Sequence, residues 1–305
     1  MDIKIQKIRE KKSRIGFMVR TRDRTELTQQ TLPPLLTVNG IDVYWIDGSV
    51  EAEGLALANT AYRALPGLCE VHTGISIGLI RSFIYGIKQL IENEYEFIGL
   101  IDGDVLLQPG WFEAMCALYE RGKKDGLHVG AVSARAIDDR ILVPRDGYAV
   151  MANVGGGMVM LRREVFLEIM LDESDSILNN NSFLFSDMDK IFKEVTDLNY
   201  PMTQRMRQET ERAKLPPGAS LDWQLSTDWW WEVVMIKCGM VALATTPSLA
   251  ANIDDVGAEN IFVKEATVSD PRFDWQSFTK RLGIQYEAYQ ARITEPANNK
   301  HAVGD

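Results

Sequence analysis

Two aspartates stand directly after an apolar run in the stretch Phe97-Ile98-Gly99-Leu100-Ile101-Asp102-Gly103-Asp104. Carboxylate oxygens are ligands that Mg²⁺ and Mn²⁺ take in proteins, and such a cation is commonly shared with the phosphates of a substrate. The glycine between them removes a side chain where a ligand could approach the backbone closely. The stretch therefore predicts a site for Mn²⁺ or Mg²⁺ and a diphosphate-bearing substrate, with an ordinary Asp-Gly turn as the alternative.

Polar residues follow two earlier apolar runs in the same way. Arg20-Thr21-Arg22-Asp23-Arg24 comes after the first run, and Asp47-Gly48-Ser49 comes after the second. Ligands of open α/β sheets bind outside the carboxyl ends of the strands, so these residues are candidates for the same crevice. Asp47 also suits a turn, since Asp-Gly-Ser is a common turn sequence.

The strands and helices that must position these residues can be predicted from the sequence. Short apolar runs, rich in β-branched residues, alternate with segments of helical period. This pattern indicates an α/β fold, Rossmann-like, with a mostly parallel central sheet and helices on both faces. Strands are predicted at Ile15 to Val19, Val43 to Ile46, Cys69 to His72, Phe97 to Ile101, Val129 to Ala134, Gly157 to Leu161 and Met240 to Thr245.

Three helices are predicted from periodicity and from their end signals. An apolar stripe from Leu79 to Ile91 recurs at helical spacing. A second helix has Pro109 in its first turn and Gly122 as its stop. A third runs from Asp228 to Lys237 and ends at Gly239.

Composition bounds the class of protein. The 305 residues are 46% hydrophobic and 25% charged, as in ordinary globular proteins, and 43 acidic against 33 basic side chains give a net charge of −10. With this acidic balance, the chain as a whole lacks the excess of positive charge that is typical of nucleic-acid-binding proteins. Three widely spaced cysteines exclude a disulfide framework and a Cys-x-x-Cys site, so a reducing cytoplasm is expected. The longest uncharged stretch, Cys238 to Ile253, is too short and polar to span a bilayer.

The chain is expected to divide into three parts. Residues 1–13 form a basic lead-in, interpreted as a solvated entry to the first strand or, as the alternative, a peripheral attachment to an anionic membrane. Residues 14–255 form the catalytic domain, with insertions near 172–186 and 203–217. Residues 256–305 form a C-terminal extension with a polar tail.

Two further stretches complete a family pattern: Gly155-Gly156-Gly157-Met158-Val159-Met160-Leu161-Arg162-Arg163-Glu164-Val165-Phe166 and Ser226-Thr227-Asp228-Trp229-Trp230-Trp231. In order and spacing, these motifs together resemble the GT-A fold of nucleotide-sugar-dependent glycosyltransferases, most closely the inverting family 2. The resemblance covers roughly residues 14–255. It implies transfer of a single sugar from a nucleoside diphosphate sugar, a UDP-sugar first among them, to an acceptor hydroxyl with inversion. The acceptor class and the oligomeric state stay open.

The resemblance also implies roles for individual residues. Thr21 and Arg24 would cradle the nucleoside, Asp47 would accept a hydrogen bond from a base N–H, and Asp102 would face the ribose or a metal-bound water. Asp104, with Asp102, would hold the metal, and Asp228 would be the general base. Gly156, Gly157, Trp229 and Trp230 would contact the acceptor. Asp228 is equally suited to a helix N-cap, Glu232 is a second base candidate, and at least one of the three tryptophans must pack in the core.

The sequence departs from the family pattern at two places. Many members have an Arg-Asn pair on the helix after the third strand, where this chain offers only Arg81. Many also have a histidine metal ligand after the last core strand, where this chain has Asn252, Asp254 and Asp255 as oxygen donors. The Gln-x-x-Arg-Trp motif of processive members is not present, which favours non-processive transfer.

Two other enzyme classes compete with this interpretation. Gly74-Ile75-Ser76-Ile77-Gly78 matches the nucleophile elbow of α/β-hydrolases, with His128 or His301 as the only histidines downstream of Ser76. A helix N-cap is the simpler role for Ser76. A nucleotide-sugar-forming nucleotidyltransferase would use similar chemistry, but the glycine-rich first loop with a lysine that usually marks this class is absent.

Overall fold

The computed structural model describes residues 3–60, 64–75, 79–137, 140–152, 154–155, 157–171, 231–232, 234–252 and 275–294. Its strands are β1 (Lys4–Lys7), β2 (Ile15–Thr21), β3 (Asp42–Asp47), β4 (Leu68–Thr73), β5 (Phe97–Asp102), β6 (Val105–Leu107), β7 (Val129–Ser133), β8 (Ile141–Arg145), β9 (Tyr148–Met151), β10 (Met158–Arg162), β11 (Val241–Thr245) and β12 (Ala250–Asn252). Its helices are α1 (Thr25–Leu36), α2 (Ala52–Thr60), α3 (Leu79–Glu92), α4 (Trp111–Lys124), α5 (Arg163–Leu171) and α6 (Trp275–Thr294).

Ten strands form one mixed sheet in the order β1-β4-β3-β2-β5-β10-β7-β11-β9-β8. The neighbours β4, β3, β2 and β5 are parallel, as are β7 and β11, whereas β10 runs antiparallel between β5 and β7. A separate two-stranded sheet pairs β12 with β6. The arrangement brings the carboxyl ends of β2, β3 and β5 side by side at one edge.

The centre of the sheet is covered on both faces. Every residue of β3, β7, β9 and β11 is buried, as expected of strands packed on each side by other elements. The apolar stripe of α3 packs toward β2, β3 and β5, and α4 packs toward β7 and β11. The predicted α/β class with a mostly parallel central sheet is confirmed, and all seven predicted strands form within one or two residues of their expected bounds.

The prediction for the helix after Pro109 needs two corrections. The helix α4 begins at Trp111 with Gly110 as its N-cap, so Pro109 precedes the first turn. Gly122 does not stop the helix, which continues to Lys124. A side chain at position 122 would begin 2.2 Å from Cγ2 of Val129, so glycine is there because α4 and β7 pack closely.

Part of the basic lead-in belongs to the sheet. Strand β1 pairs antiparallel with β4, and the chain that follows wraps around Asp42 at the start of β3. The fully buried Asp42 carboxylate accepts hydrogen bonds from the backbone N–H of Lys12 and Ser13 and from the Tyr95 hydroxyl, and it pairs with Arg9.

The far end of the chain adds a helix that the sequence patterns did not identify. The 20-residue α6 packs Leu282 and Tyr289 into the core, and the Tyr286 ring stacks on His128 with centroids 3.4 Å apart. Residues 231–232 and 234–237 are helical, as predicted for this segment, and the turn ends at Gly239. Among the described helices, none is both long and apolar enough to cross a bilayer.

Candidate functional site

A cleft of about 370 Å³ opens where β2, β3 and β5 end. Its lining is dominated by charge: Arg20, Arg22, Arg24, Asp102 and Asp104 all face it, together with the small residues Gly48 and Gly103 and the hydroxyl-bearing Thr28 and Ser82. The cleft is therefore a polar, partly basic site at the edge of the sheet where open α/β folds bind their ligands.

Hydrogen bonds tie the loop after β2 to the loop after β3. The Asp23 carboxylate accepts bonds from the backbone N–H of Val50 and Glu51, both at 2.9 Å, just before α2 begins. The Asp23 backbone N–H donates to the Ser49 hydroxyl at 3.0 Å. These contacts fix the path of the segment that carries Arg20, Arg22 and Arg24, so the arginines start from a rigid backbone.

Asp47 lies behind the cleft wall. One of its oxygens, Oδ1, accepts hydrogen bonds from the hydroxyls of Thr21 at 2.8 Å and Ser49 at 2.7 Å, and the Thr21 oxygen accepts in turn from Trp45 Nε1. Its other oxygen, Oδ2, is buried and has no hydrogen-bond partner among the described residues. Burial raises the pKa of the Asp47 carboxyl, and the two hydroxyls offset only part of that effect.

Asp102 is held by a neighbour across the sheet. Arg20 on β2 and Asp102 on β5 are paired in register, and the guanidinium donates to Oδ1 from Nη2 at 2.6 Å and from Nε at 3.1 Å. Both side chains are largely buried, at 13% and 17% exposure, so the pair is shielded from water. The Asp102 carboxylate therefore has a fixed orientation.

The second oxygen of Asp102 faces an amide across a gap left by glycine. A side chain at position 157 would begin 3.5 Å from Asp102 Oδ2 and 3.4 Å from Asn252 Oδ1. The Asn252 oxygen is buried and has no hydrogen-bond partner in the part of the chain that the structure describes. The gap is held in place because the Asp102 backbone N–H donates to the Gly157 carbonyl at 2.8 Å. Two acceptor oxygens that border one space favour a cation or a hydroxyl donor between them.

Asp104 pairs with a different arginine. Arg24 Nη1 lies 2.6 Å from Asp104 Oδ2, and the arginine side chain is 55% exposed while the aspartate is 22% exposed. The same backbone segment starts α1, since the Arg24 carbonyl accepts from the Thr28 N–H and hydroxyl. Arg22 is exposed on the same rim, and the structure places no carboxylate of the described residues in ion-pair contact with it.

The structure brings together six of the residues predicted from the sequence: Thr21, Arg24, Asp102, Asp104, Gly157 and Asn252 lie at or beside the cleft. Asp47 is next to them but buried. Arg81 lies on α3, and its side chain is outside the described residues. Asp228, Trp229, Trp230, Gly156 and Asp254 also lie outside the described residues, so their roles stay predictions.

Two residues next to the predicted base are described. Trp231 is buried and packs in the core, as expected of at least one of the three tryptophans, and it faces Phe83 with ring centroids 6.0 Å apart. Glu232 is also buried, and its Oε1 accepts from the Val154 backbone N–H at 3.1 Å. Glu232 therefore anchors the glycine segment and is not part of the cleft lining.

Sequence reasoning gave Arg20 no role of its own and missed Thr28 and Ser82 as cleft residues. The motif Arg20-Thr21-Arg22-Asp23-Arg24 drew attention to this loop, but the pairing of Arg20 with Asp102 depends on β2 and β5 being neighbours. Thr28 and Ser82 lie on α1 and α3 and have no sequence motif of their own.

The arrangement does not support a hydrolase that uses His128. This histidine precedes β7 and stacks on Tyr286, at the end of the sheet opposite to the carboxyl end of β4, where residues 74 and 75 lie. Ser76 and His301 are outside the described residues. Within the described part of the chain, no three His, Cys, Asp or Glu side chains cluster to hold a metal, so a cation here would need amide or ligand oxygens besides Asp102 and Asp104.

No protein-family model and no curated protein matches this sequence. Among solved structures, the mannosyltransferase PcManGT from Pyrobaculum calidifontis, in complex with GDP-Man and Mn²⁺, is similar with 13% identity and a TM-score of 0.37, over 51% of this chain and 46% of that one. TarS 1–349 of S. aureus, in complex with UDP-GlcNAc, is similar with 14% identity and a TM-score of 0.40, over 50% of this chain and 46% of that one. This chain thus spans about half the length of each. The function of this chain is therefore inferred from the side chains of the cleft.

Proposed function

We propose that the protein is a GT-A-type glycosyltransferase that moves one sugar from a nucleoside diphosphate sugar to an acceptor hydroxyl. The observation that carries the proposal is the cleft at the carboxyl ends of β2, β3 and β5, where three arginines and the Asp102-Gly103-Asp104 pair face one space. Guanidinium groups bind phosphate oxygens in a planar, directional way, and the cavity is large enough for a nucleotide-sized ligand.

A divalent cation, Mn²⁺ or Mg²⁺, fits the oxygen donors of this site. The unpartnered Oδ1 of Asn252, the Asp102 oxygen on the other side of the Gly157 gap, and Asp104 are all hard oxygen ligands of the kind these ions take. Asp104, Asp102 and Asn252 would hold the ion, and Asp254 is a further sequence candidate. When bound, the ion offsets the negative charge of the leaving diphosphate.

We assign diphosphate binding, base recognition and proton transfer to protein side chains. Arg22 and Arg24 bind the diphosphate, while Arg20 keeps Asp102 oriented. Asp47, which lies behind Gly48, is the candidate acceptor for a base N–H, because no described residue donates a hydrogen bond to its Oδ2. In the transfer, the acceptor hydroxyl oxygen forms a bond to the anomeric carbon, the bond from that carbon to the diphosphate oxygen breaks, and Asp228 takes the hydroxyl proton. Attack opposite the leaving group gives inversion.

The acceptor side of the reaction is assigned from the sequence pattern. Gly156 and Gly157 keep the backbone open, and Trp229 and Trp230 offer flat apolar faces to a sugar ring. A UDP-sugar is the first donor to test. The three free thiols, Cys69, Cys116 and Cys238, suit the reducing cytoplasm proposed as its location.

Hydrolysis of UDP-sugars and GDP-sugars in the presence of Mn²⁺ tests the proposal without knowledge of the acceptor. The wild type should release the nucleoside diphosphate, and Asp104→Ala should lose at least about a hundredfold in rate because diphosphate charge is no longer offset. Glu96→Gln is the matched control, since Glu96 stands at the opposite end of β5 and is solvent-exposed. Equal hydrolysis rates in the wild type and Asp104→Ala would contradict the proposed role of Asp104 in binding the metal.

The base assignment has its own test once an acceptor is found. Asp228→Asn should bind the donor as tightly as the wild type and lose transfer, because only the proton acceptor has changed. Transfer at the wild-type rate would place the base at another residue.

A further inference from the structure

Two arginine–aspartate pairs stand side by side in the cleft, and they differ in how firmly they are held. Arg20 places two donors on one oxygen of Asp102, and both side chains are at least four-fifths buried. Arg24 reaches Asp104 from a side chain that is 55% exposed. Water and mobile ions screen the second pair far more than the first, and exposed pairs contribute about 1 kcal/mol or less.

The position of Arg24 allows its side chain to move without disturbing the fold. Its backbone is fixed, since its carbonyl accepts the first hydrogen bonds of α1 from Thr28. The guanidinium itself lies at the rim, beside the exposed Arg22. The Arg24 side chain is more than half exposed, so its rotation away from Asp104 leaves the backbone contact with Thr28 in place.

The charges of the cleft set up a competition at Asp104. A divalent cation that binds the Asp104 carboxylate would meet the Arg24 guanidinium at 2.6 Å from Oδ2, and two cations at such a distance repel each other. A diphosphate that enters with the cation brings negative charge to the same rim and gives the guanidinium a new partner.

On the premise of the proposed donor site, we propose that Arg24 exchanges partners: a divalent cation displaces it from Asp104, and the diphosphate of the donor then receives it. Arg20 does not take part in the exchange, because its buried pair with Asp102 holds that carboxylate in place. The cation and the nucleoside diphosphate thus bind cooperatively. The cation releases Arg24 from Asp104 for the diphosphate, and the diphosphate offsets the repulsion between the cation and the Arg24 guanidinium.

Thermodynamic linkage makes the exchange measurable. If diphosphate raises the affinity for the cation by some factor, the cation must raise the affinity for diphosphate by the same factor. Removal of the Arg24 guanidinium should change the affinity for the cation and the affinity for the diphosphate in opposite directions. Asp104 then binds the cation without competition, whereas the diphosphate loses a partner.

Isothermal titration with Mn²⁺ alone, UDP alone, GDP alone and each nucleotide at saturating Mn²⁺ tests the exchange on the full-length chain. The variants are Arg24→Gln, which removes the charge, and Arg24→Lys, which keeps it. Arg14→Gln is the matched control, because Arg14 pairs with Glu96 at the opposite ends of the same two strands. Circular dichroism melts establish that each variant is folded.

In the wild type, Mn²⁺ and one of the nucleotides should each strengthen binding of the other. Arg24→Gln should bind Mn²⁺ alone about fivefold more tightly, the worth of one partly exposed ion pair, and bind nucleotide more weakly with a smaller coupling factor. Arg24→Lys should stay near the wild type in Mn²⁺ affinity, and Arg14→Gln should match the wild type throughout.

Three results would overturn the exchange. Unchanged or weaker Mn²⁺ binding by Arg24→Gln, with nucleotide binding intact in the wild type, contradicts the competition and leaves the donor site standing. Nucleotide affinity in Arg24→Gln equal to the wild type contradicts the transfer of Arg24 to diphosphate. Failure of the wild type to bind any nucleotide, with or without Mn²⁺, overturns the proposed function and the exchange together.

Discussion

The two ends of β3 carry aspartates in opposite situations. Asp42, at the start of the strand, is fully buried and receives donors on both oxygens from Arg9, Lys12, Ser13 and Tyr95. Asp47, at the end of the strand, receives two hydroxyls on one oxygen, and no described residue donates to the other. A carboxylate whose oxygens all receive donors holds the fold together, whereas one with an unused buried oxygen keeps acceptor capacity that the described residues do not fill.

The two carboxyls differ in pKa for the same reason. Burial alone would raise the pKa of Asp42, but hydrogen bonds from the Ser13 and Lys12 N–H groups and from Arg9 and Tyr95 outweigh it and hold the pKa below its ordinary value. Burial raises the pKa of Asp47, and the hydroxyls of Ser49 and Thr21, together with the Ser49 backbone N–H, offset only part of that effect. The fold therefore stabilises the ionised form of one and disfavours the ionised form of the other.

The largest effect is expected at Asp42. Asp42→Asn should lower the free energy of unfolding by about 2–4 kcal/mol at pH 7, because Arg9 loses its charged partner and several buried donors lose an acceptor. A depressed folded pKa contributes stability above the unfolded value and loses it as pH falls, so the difference from the wild type should shrink below about pH 4. Urea unfolding at pH 7 and pH 3.5 measures both, and a constant difference would contradict the assignment.

A smaller effect is expected in the gap between Asp102 and Asn252. Gly157→Ala places a methyl group at ordinary contact distance, 3.4 Å and 3.5 Å, from the two oxygens, so the protein should fold with little change in melting temperature. The methyl group fills the space assigned to the cation, and Mn²⁺ affinity should fall by about tenfold, as for other residues that surround metal ligands. Unchanged affinity, measured by titration calorimetry, would place the cation elsewhere.

The smallest change in stability is expected at Asp47, and it should have the opposite sign to that at Asp42. A raised folded pKa means that the ionised carboxyl opposes folding as pH rises through that value, so Asp47→Asn should not lower the melting temperature at pH 7. It should weaken nucleotide binding, because an amide NH₂ at the unpartnered position cannot accept from a base N–H. A fall in melting temperature comparable to that of Asp42→Asn would show that Asp47 is structural.

The sequence predicts the strands and helices that depend on local patterns of residues. Apolar runs ending in polar residues predicted the strands that carry Asp47, Asp102 and Asp104, and α3 followed from its apolar stripe. The prediction of Gly122 as a helix stop is wrong, because the role of this glycine depends on the distance between α4 and β7 and not on its neighbours in sequence.

Contacts between distant segments could not be predicted. Asp42 has partners about 30 residues before it and 53 residues after it, and nothing in its local sequence marks it as a structural centre. The pair of Arg20 and Asp102 joins residues 82 positions apart and follows only from the strand order. Strand β1 and helix α6 lie in the segments predicted as a basic lead-in and a C-terminal extension.

The central claim is that the cleft binds a nucleoside diphosphate sugar with a divalent cation, and ligand-dependent melting tests it most directly. Wild type and Asp104→Ala are melted with UDP-, GDP-, dTDP- and CDP-linked sugars, each with and without Mn²⁺ or Mg²⁺, because a ligand that binds only the native state raises the melting temperature. A rise in the wild type with one nucleotide class, dependent on the cation and lost in Asp104→Ala, is the result predicted. No rise with any donor on folded wild-type protein would contradict the claim.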